Sequence, residues 1–280
     1  MFVLKEEVVQ FCQRHHLKLN TDLGQHFLID EDILSEIVAA ADIEPDELIV
    51  EIGPGIGVLT RELLACDARV RAIEIDARLI PLLKDFTHKK NKSLDITQGN
   101  ALAVPFPEEP YKIVANIPYH ITSPLLRHAF LESTVQPTSL TLLLQREVAE
   151  KICDPEDAGM LTILVALFGK PHIVTRVPGS AFLPPPKVES AVLHIACRPK
   201  PLTDRETIDR IFTLTKVGFG QKRKMLRNTL GQLPEGMAHL EHVGIRADRR
   251  PQTLSIEEWI ALAQEFSEGS SAGRQNAKDG

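Results

Sequence analysis

The run LIVEIGPGIGVLTRELL, residues 48–64, limits what this chain can fold into more than any other stretch. LIVEI is short, apolar and bounded by glycine, the pattern of a buried strand. Val58, Leu59, Leu63 and Leu64 then recur at helical spacing. Between them stand Gly53, Gly55 and Gly57, at a turn where backbone can approach a ligand closely and the next helix offers free N–H donors.

The alternation of strand and helix continues. ARVRAIEID (68–76) reads as a second strand and ARLIPLLKDF (77–86) as a helix, while SLDITQ (93–98), YKIVAN (111–116) and TSLTLLLQ (138–145) read as three more strands. Thr122-Ser123-Pro124 predicts an N-cap followed by proline at the first helical position, opening a helix to Leu131. REVAEKI continues the fifth strand into a helix, and another helix spans Met160 to Phe168. HIVTRVP (172–178) and KVESAVLHIAC (187–197) then follow with no helix between them, so they can pair antiparallel across the stiff AFLPPPK connection (181–187). The pattern predicts an α/β, Rossmann-like mixed sheet, mostly parallel with an antiparallel last strand, whose ligands lie at the carboxyl ends of the strands. Beyond Arg198-Pro199-Lys200-Pro201 the periodicity is purely helical, and Ser255 with Glu258 makes a capping box for the last helix. The organisation expected is a ligand-binding domain over 1–198, a small all-helical domain over 199–267 and a disordered polar tail over 268–280.

Composition excludes several chemistries. Cys12, Cys66, Cys153 and Cys197 have no CxxC spacing, and His15, His16, His120, His172 and His194 have no HExxH spacing, so no metal site is expected. The GxSxG elbow of acyl-enzyme chemistry is missing. No apolar run reaches about 18 residues, and charges interrupt the N-terminal segment, which predicts a soluble, untargeted, cytoplasmic protein; a monomer is the default expectation. A net charge of −6 argues against a polyanionic partner until its distribution is read: Glu31 to Glu47 holds seven acids and no cation, whereas FGQKRKMLRNTL (219–230) holds Lys222, Arg223, Lys224 and Arg227 and no acid. A basic stripe at helical spacing is usually a solvated face; here it permits RNA binding.

The glycine turn is spaced G-x-G-x-G and contains Pro54, unlike the dinucleotide G-x-G-x-x-G, so pyrophosphate is not the favoured ligand. Glu74 closes the second strand, where such folds place the acid that accepts both ribose hydroxyls. Together the two specify a bound adenosine moiety. Asn116-Ile117-Pro118-Tyr119 ends the fourth strand at the ligand-facing edge. Elsewhere such a tetrapeptide would be a turn in which Asn bonds its own backbone. At a strand end it suits an amino group whose lone pair is delocalised into an aromatic ring. Acceptors for both N–H bonds, the Asn116 amide oxygen and a carbonyl exposed by Pro118, favour the pyramidal nitrogen of the transition state without a general base. Tyr119 would stack on the base.

NIPY is similar to the Asn-Pro-Pro-Tyr motif of amino-methyltransferases, in the form that resembles the ribosomal RNA adenine dimethyltransferases of the KsgA type. The resemblance extends through LGQHFLID (23–30), VEIGPGIGVLT (50–60), AIEID (72–76), ANIPYHITSPLL (115–126), LLLQREVAEKI (142–152), AFLPPPKVESAVLH (181–194) and FGQKRKMLRNTL (219–230). It implies S-adenosylmethionine as cofactor, contacted by His26, Leu28, Gly53, Gly55, Glu74, Asn100 and Asn116. Catalysis falls to Asn116, Pro118 and Tyr119, with Phe182 as the face of the target-base slot opposite Tyr119. RNA contacts fall to Lys222, Arg223, Lys224 and Arg227, helped by Arg246, Arg249 and Arg250. His26 stands where many relatives have Asn, and Asn100 where Asp is usual. The implied reaction is N6,N6-dimethylation of two adjacent adenosines in the 3′-terminal hairpin of small-subunit (16S) ribosomal RNA, within an immature subunit. A large-subunit RNA methyltransferase conferring antibiotic resistance and a ribosome-assembly checkpoint factor are the alternatives. A mitochondrial-type transcription factor is disfavoured for want of a targeting segment.

Overall fold

The computed structural model describes residues 4–20, 24–87, 93–221 and 223–275, with side chains as far as 267. Helix α1 (Leu4–Arg14), the two-residue strand β1 (Phe27–Leu28) and α2 (Glu31–Ala41) lead into the alternating region. There β2 (Leu48–Ile52), α3 (Val58–Ala65), β3 (Arg69–Glu74), α4 (Leu79–Phe86), β4 (Leu94–Gln98), β5 (Lys112–Asn116), α5 (Thr122–Arg127), β6 (Ser139–Gln145) and α6 (Arg146–Cys153) succeed one another. After α7 (Met160–Phe168) come β7 (Gly169–Val177), β8 (Phe182–Leu183) and β9 (Ser190–Cys197), then α8 (Arg205–Phe219), α9 (Gly236–His242) and α10 (Ile256–Gln275).

Seven strands form one sheet in the order β4-β3-β2-β5-β6-β9-β7, parallel from β4 to β6, with β9 antiparallel to β6. The order reverses at β2, between β3 on one side and β5 on the other, and there a doubly wound sheet opens a crevice at its strand ends. All five residues of β2 are buried, as the apolar run requires of a strand covered on both faces. Leu4, Val8 and Phe11 bury one stripe of α1, and Phe11 meets Phe86 of α4 edge-on at 5.0 Å, so the N-terminal helix belongs to the core.

The chain divides into two compact units, 1–150 with 170–199, and 151–169 with 200–280. Residues 151–169, read from sequence as part of the first domain, therefore pack with the helical unit, where Leu202 N–H donates to Leu167 O at 3.0 Å. Ser255 and Glu258 form the reciprocal capping box at 2.8 and 3.2 Å. That helix runs through Gln275, into the stretch read as a disordered tail, because extending a nucleated helix fixes few further dihedrals per bond gained; residues 276–280 lie outside the described residues.

Two local expectations are corrected. The cap expected just before Pro124 is not there: α5 begins at Thr122, so Ser123 is already helical and Pro124 is the third helical residue. A 3-10 turn over Tyr119–Ile121 precedes it, and the Thr122 hydroxyl donates back to Tyr119 O at 3.0 Å. Residues 219–230 are not one helix either: α8 ends at Phe219, and a 3-10 turn occupies Leu226–Asn228. Leu226 and Arg227 donate their N–H groups to Arg249 O and Ala247 O at 2.8 and 2.9 Å, which withdraws them from any helical ladder.

Candidate active site

The carboxyl ends of β2, β3 and β5 place the glycine turn, Glu74 and Asn116 around one cavity. Gly53 N–H still donates to Ile73 O at 2.9 Å, extending the β2–β3 ladder, and the chain then leaves the sheet. Gly53 (φ 65°), Gly55 (φ 62°) and Gly57 (φ 100°) all take left-handed conformations that side chains resist. Space forbids a side chain too: a Cβ on Gly55 would lie 2.8 Å from the Phe27 ring, and one on Gly57 2.5 Å from Leu83 Cδ1.

Glu74 is buried, and its two oxygens accept from Gly55 N–H (3.1 Å) and Asp76 N–H (2.8 Å). Burial pushes its carboxyl above the usual range, opposed by those backbone donors. The neighbouring Asp76 is held down at about 2, chiefly by hydrogen bonds from Arg78 and, after the opposing effect of burial, from Gln25. Gln25 Nε2 donates to Asp76 at 2.9 Å while its oxygen accepts from Asn20 N–H at 2.7 Å. That pair of bonds ties the segment around residues 24–28 across the end of β3. His26 and Leu28 thereby line the cavity.

Sequence reasoning missed Glu51 and Ile75. Glu51, on β2, is 1% exposed, lines the same cavity and accepts from the Thr60 hydroxyl at 2.6 Å. Burial is the main cause that raises its carboxyl to about 8. Two buried acids thus face one cavity that, among the described residues, no lysine or arginine lines, an arrangement that suits a ligand bearing positive charge as well as hydroxyls. Ile75 lines the cavity at 58% exposure, an apolar surface placed beside Glu74. Only its position after Glu74 could have signalled it.

Asn116 lines this cavity and also a second one, with Ile117, Tyr119, His120 and Gln145. Its Nδ2 donates to His26 O at 3.0 Å. A carbonyl can only accept, so this bond fixes which end of the carboxamide is which and leaves Oδ1 as the acceptor turned elsewhere. Ile117 N–H donates to Leu143 O at 3.2 Å, extending the β5–β6 pairing, and Pro118, without an N–H, ends it. Pro118 packs against the glycines: a Cβ on Gly24 would lie 2.8 Å from its own Cβ. The Tyr119 hydroxyl hydrogen-bonds Ser190 Oγ at 2.6 Å. Gln145, the last residue of β6, lines the second cavity, whereas Arg146 pairs with Glu189 and Glu150.

Two residues are not brought in. Phe182 is 2% exposed, paired with Leu28 in the β1–β8 ribbon and packed in the core, and it lines neither cavity. Asn100 lines neither cavity and sits at the end of β4 with its amide oxygen accepting from Leu102 N–H at 3.0 Å. In the helical unit Arg223, Lys224 and Arg227 are exposed, and Lys222 lies outside the described residues. Arg246 is paired with Asp248 and Arg249 with Glu258; Arg250 is exposed.

A Rossmann-like sheet with an adenosine-type acid, a G-x-G-x-G turn and an Asn-Ile-Pro-Tyr strand end defines an amino-methyltransferase. The ribosomal RNA adenine dimethylase family matches residues 16–268. Ribosomal RNA small subunit methyltransferase A of Dehalococcoides mccartyi strain BAV1 is 38% identical over 94% of each chain, and that of Brucella abortus biovar 1 is 42% identical over 91% of this chain and 95% of its own. Among solved structures, a dimethyladenosine transferase from Plasmodium falciparum aligns with a TM-score of 0.75 at 29% identity, covering 87% of this chain and 98% of its own. The 23S rRNA methyltransferase ErmE aligns at 0.71 and 28%, covering 86% and 99%. The chain belongs to the ribosomal RNA adenine dimethylase family.

Proposed function

We propose that this enzyme uses S-adenosylmethionine to dimethylate N6 of two adjacent adenosines in the 3′-terminal hairpin of small-subunit ribosomal RNA, acting as a cytoplasmic monomer on a partly assembled subunit. The observation that carries the chemistry is that Asn116 lines both cavities with its amide nitrogen already engaged. S-adenosylmethionine, when bound, supplies an electrophilic methyl group on a sulfonium. Glu74 would hold its ribose hydroxyls, Gly53 and Gly55 its methionine portion, Leu28 and Ile75 its apolar surfaces, and Glu51 its positive charge. Asn116 Oδ1 and the Ile117 carbonyl would accept from the two N–H bonds of the target amine. That draws the nitrogen towards the pyramidal geometry in which its lone pair can attack. Extruding the base from its stack costs a few kcal/mol, which aromatic contact offsets.

Asn100 lines neither cavity, but Gly99 N–H donates to Glu74 O at 2.9 Å, so Asn100 would meet the adenine ring of a cofactor that extends past the cavity from Glu74. With its oxygen engaged by Leu102 N–H, its amide offers a donor to the ring rather than an acceptor for the exocyclic amine. Asn100→Asp is expected to tighten cofactor binding by about 0.5–1.5 kcal/mol, read by titration calorimetry.

Arg223, Lys224 and Arg227 would bind phosphates, which position RNA without reading its sequence. Replacing all three by Ala is expected to reduce the slope of log K against log salt by about 2 to 3, measured by filter binding; an unchanged slope would remove these residues from the interface.

Incubation with labelled S-adenosylmethionine and undermodified 30S subunits, followed by mapping of reverse-transcription stops, tests the whole reading. Label on paired adenosines of the small-subunit 3′ hairpin supports it. Label on large-subunit RNA, the substrate of the 23S rRNA methyltransferase ErmE, would replace it.

A further inference from the structure

Gln145 closes β6 in a position that the packing of the strand does not require. The six residues before it are buried, whereas Gln145 is half-buried and lines the cavity shared by Asn116, Ile117 and Tyr119. Asn116 pairs with Leu143 in the parallel ladder, and Gln145 pairs with Ser190 in the antiparallel one. Paired residues project to the same face of a sheet, as do residues two apart on one strand, so Asn116, Gln145 and Ser190 share a face. Ser190 Oγ in turn holds the Tyr119 hydroxyl at 2.6 Å. Glutamines with a structural task in this chain are pinned: Gln25 engages both ends of its amide, and Gln136 and Gln232 donate to the carbonyls of Phe130 and Arg227. The Gln145 carboxamide has no hydrogen-bond partner among the described residues.

Resting on the adenine-N6 reading above, we propose that Gln145 holds the target base, its Nε2 donating to a ring nitrogen beside the amine, N1 or N7 of adenine. The amine gives its two N–H bonds to acceptors, Asn116 Oδ1 and the Ile117 carbonyl. The ring nitrogens that flank it carry lone pairs and can only accept. Donors on this wall are scarce. Asn116 Nδ2 is committed to His26 O at 3.0 Å, His26 Nδ1 to Pro184 O at 2.7 Å, and the Tyr119 hydroxyl is paired with Ser190. Among the half-buried side chains that line the cavity, the Gln145 amide is the donor left over. A ring lone pair also outlasts both transfers. After the first methyl the amine keeps one N–H, so a donor to the ring supplies a larger share of what orients the base for the second.

The test compares Gln145→Leu and Gln145→Glu with the unaltered enzyme on small-subunit RNA carrying adenosine, 1-deazaadenosine or 7-deazaadenosine at the methylated pair. Gln145→Leu is expected to lower kcat/KM for the adenosine RNA by about 3- to 10-fold, the size of one neutral hydrogen bond, while its Kd for S-adenosylmethionine stays within about threefold. The ratio of dimethylated to monomethylated product should fall with it, because the second transfer depends on this bond more than the first. On one analogue, which identifies the nitrogen, the gap between unaltered enzyme and Gln145→Leu should close to under about twofold; comparing two enzymes on one substrate cancels whatever the missing nitrogen does to the amine itself. Gln145→Glu, whose carboxylate accepts but cannot donate, should not recover the loss. A gap that persists on both analogues, full turnover in Gln145→Leu, or recovery by Gln145→Glu would overturn the assignment. Cofactor affinity reports that each variant is folded, and Gln145→Glu carries the same comparison if the leucine variant does not bind cofactor. If unaltered enzyme places no methyl on adenine N6, the reading of function fails instead, a result distinguishable from failure of the base contact alone.

Discussion

Asn116→Ala should abolish most methyl transfer, lowering kcat by about 10²- to 10³-fold, the range for removing one preorganised polar group from a developing charge. Cofactor affinity should change far less, by under about tenfold, because the ribose acid, the glycine turn and Glu51 are all untouched. The split arises from geometry. Asn116 Nδ2 is engaged by His26 O at 3.0 Å, so the amide presents its oxygen to a substrate amine and no equivalent acceptor replaces it in alanine. Asn116→Asp carries a second expectation: a carboxylate has no donor for the His26 carbonyl, so it must turn or take up a proton. Transfer should fall here too, even though an acceptor remains. Single-turnover rates with saturating cofactor, beside cofactor Kd from calorimetry, check both variants. Turnover within tenfold of the unaltered enzyme in Asn116→Ala would remove the residue from the chemistry.

The parts of this site readable in the sequence are those that lie where buried strands end. The four apolar residues of β2 announce themselves, and whatever follows them in a parallel sheet must emerge at the ligand edge. Gly53, Gly55, Glu74 and Asn116 were therefore legible, and they do share one cavity. Phe182 was placed by resemblance, and its burial depends on a two-residue ribbon, β1 with β8, too short to leave any periodicity. The near-parallel setting of the His26 and Tyr119 rings is likewise a tertiary fact: it needs Gln25 to pin one segment to Asp76 and Ser190 to hold the other ring. The 219–230 segment misled for a related reason. Its basic spacing is compatible with a helix, but long-range bonds to Arg249 O and Ala247 O take the donors that a helix would use. Glu51 hid in plain view, since one acid within an apolar strand gives no hint of whether it is paired.

The acid on β2 yields the other large effect, a pH dependence of cofactor binding. In the cavity without ligand, burial first, and more weakly the nearby Glu74 charge, raise the Glu51 carboxyl from 4.5 to about 8, against the Thr60 hydroxyl bond that lowers it. At neutral pH it therefore carries a proton. The sulfonium and ammonium charges of S-adenosylmethionine favour its ionised form, so binding must expel that proton, and affinity should rise with pH by up to about tenfold per unit until about pH 8. Between about pH 6 and pH 8 the Kd is expected to fall by about 10- to 100-fold, with close to one proton released in calorimetry run in two buffers. Unliganded stability should move the other way. From about 4.5 to 8 the folded state holds a proton the unfolded state has lost, so the unfolding free energy drops as pH rises across that window, by up to a few kcal/mol. Glu51→Gln cannot titrate, and both slopes should flatten together in that variant. A steep affinity profile that persists in Glu51→Gln would assign the proton to another group, such as the amino group of the cofactor itself. S-adenosylhomocysteine, which keeps that amino group and lacks the sulfonium charge, separates the two sources: a shallower profile with it, in the unaltered enzyme alone, places the linkage between Glu51 and the charge that activates the methyl group.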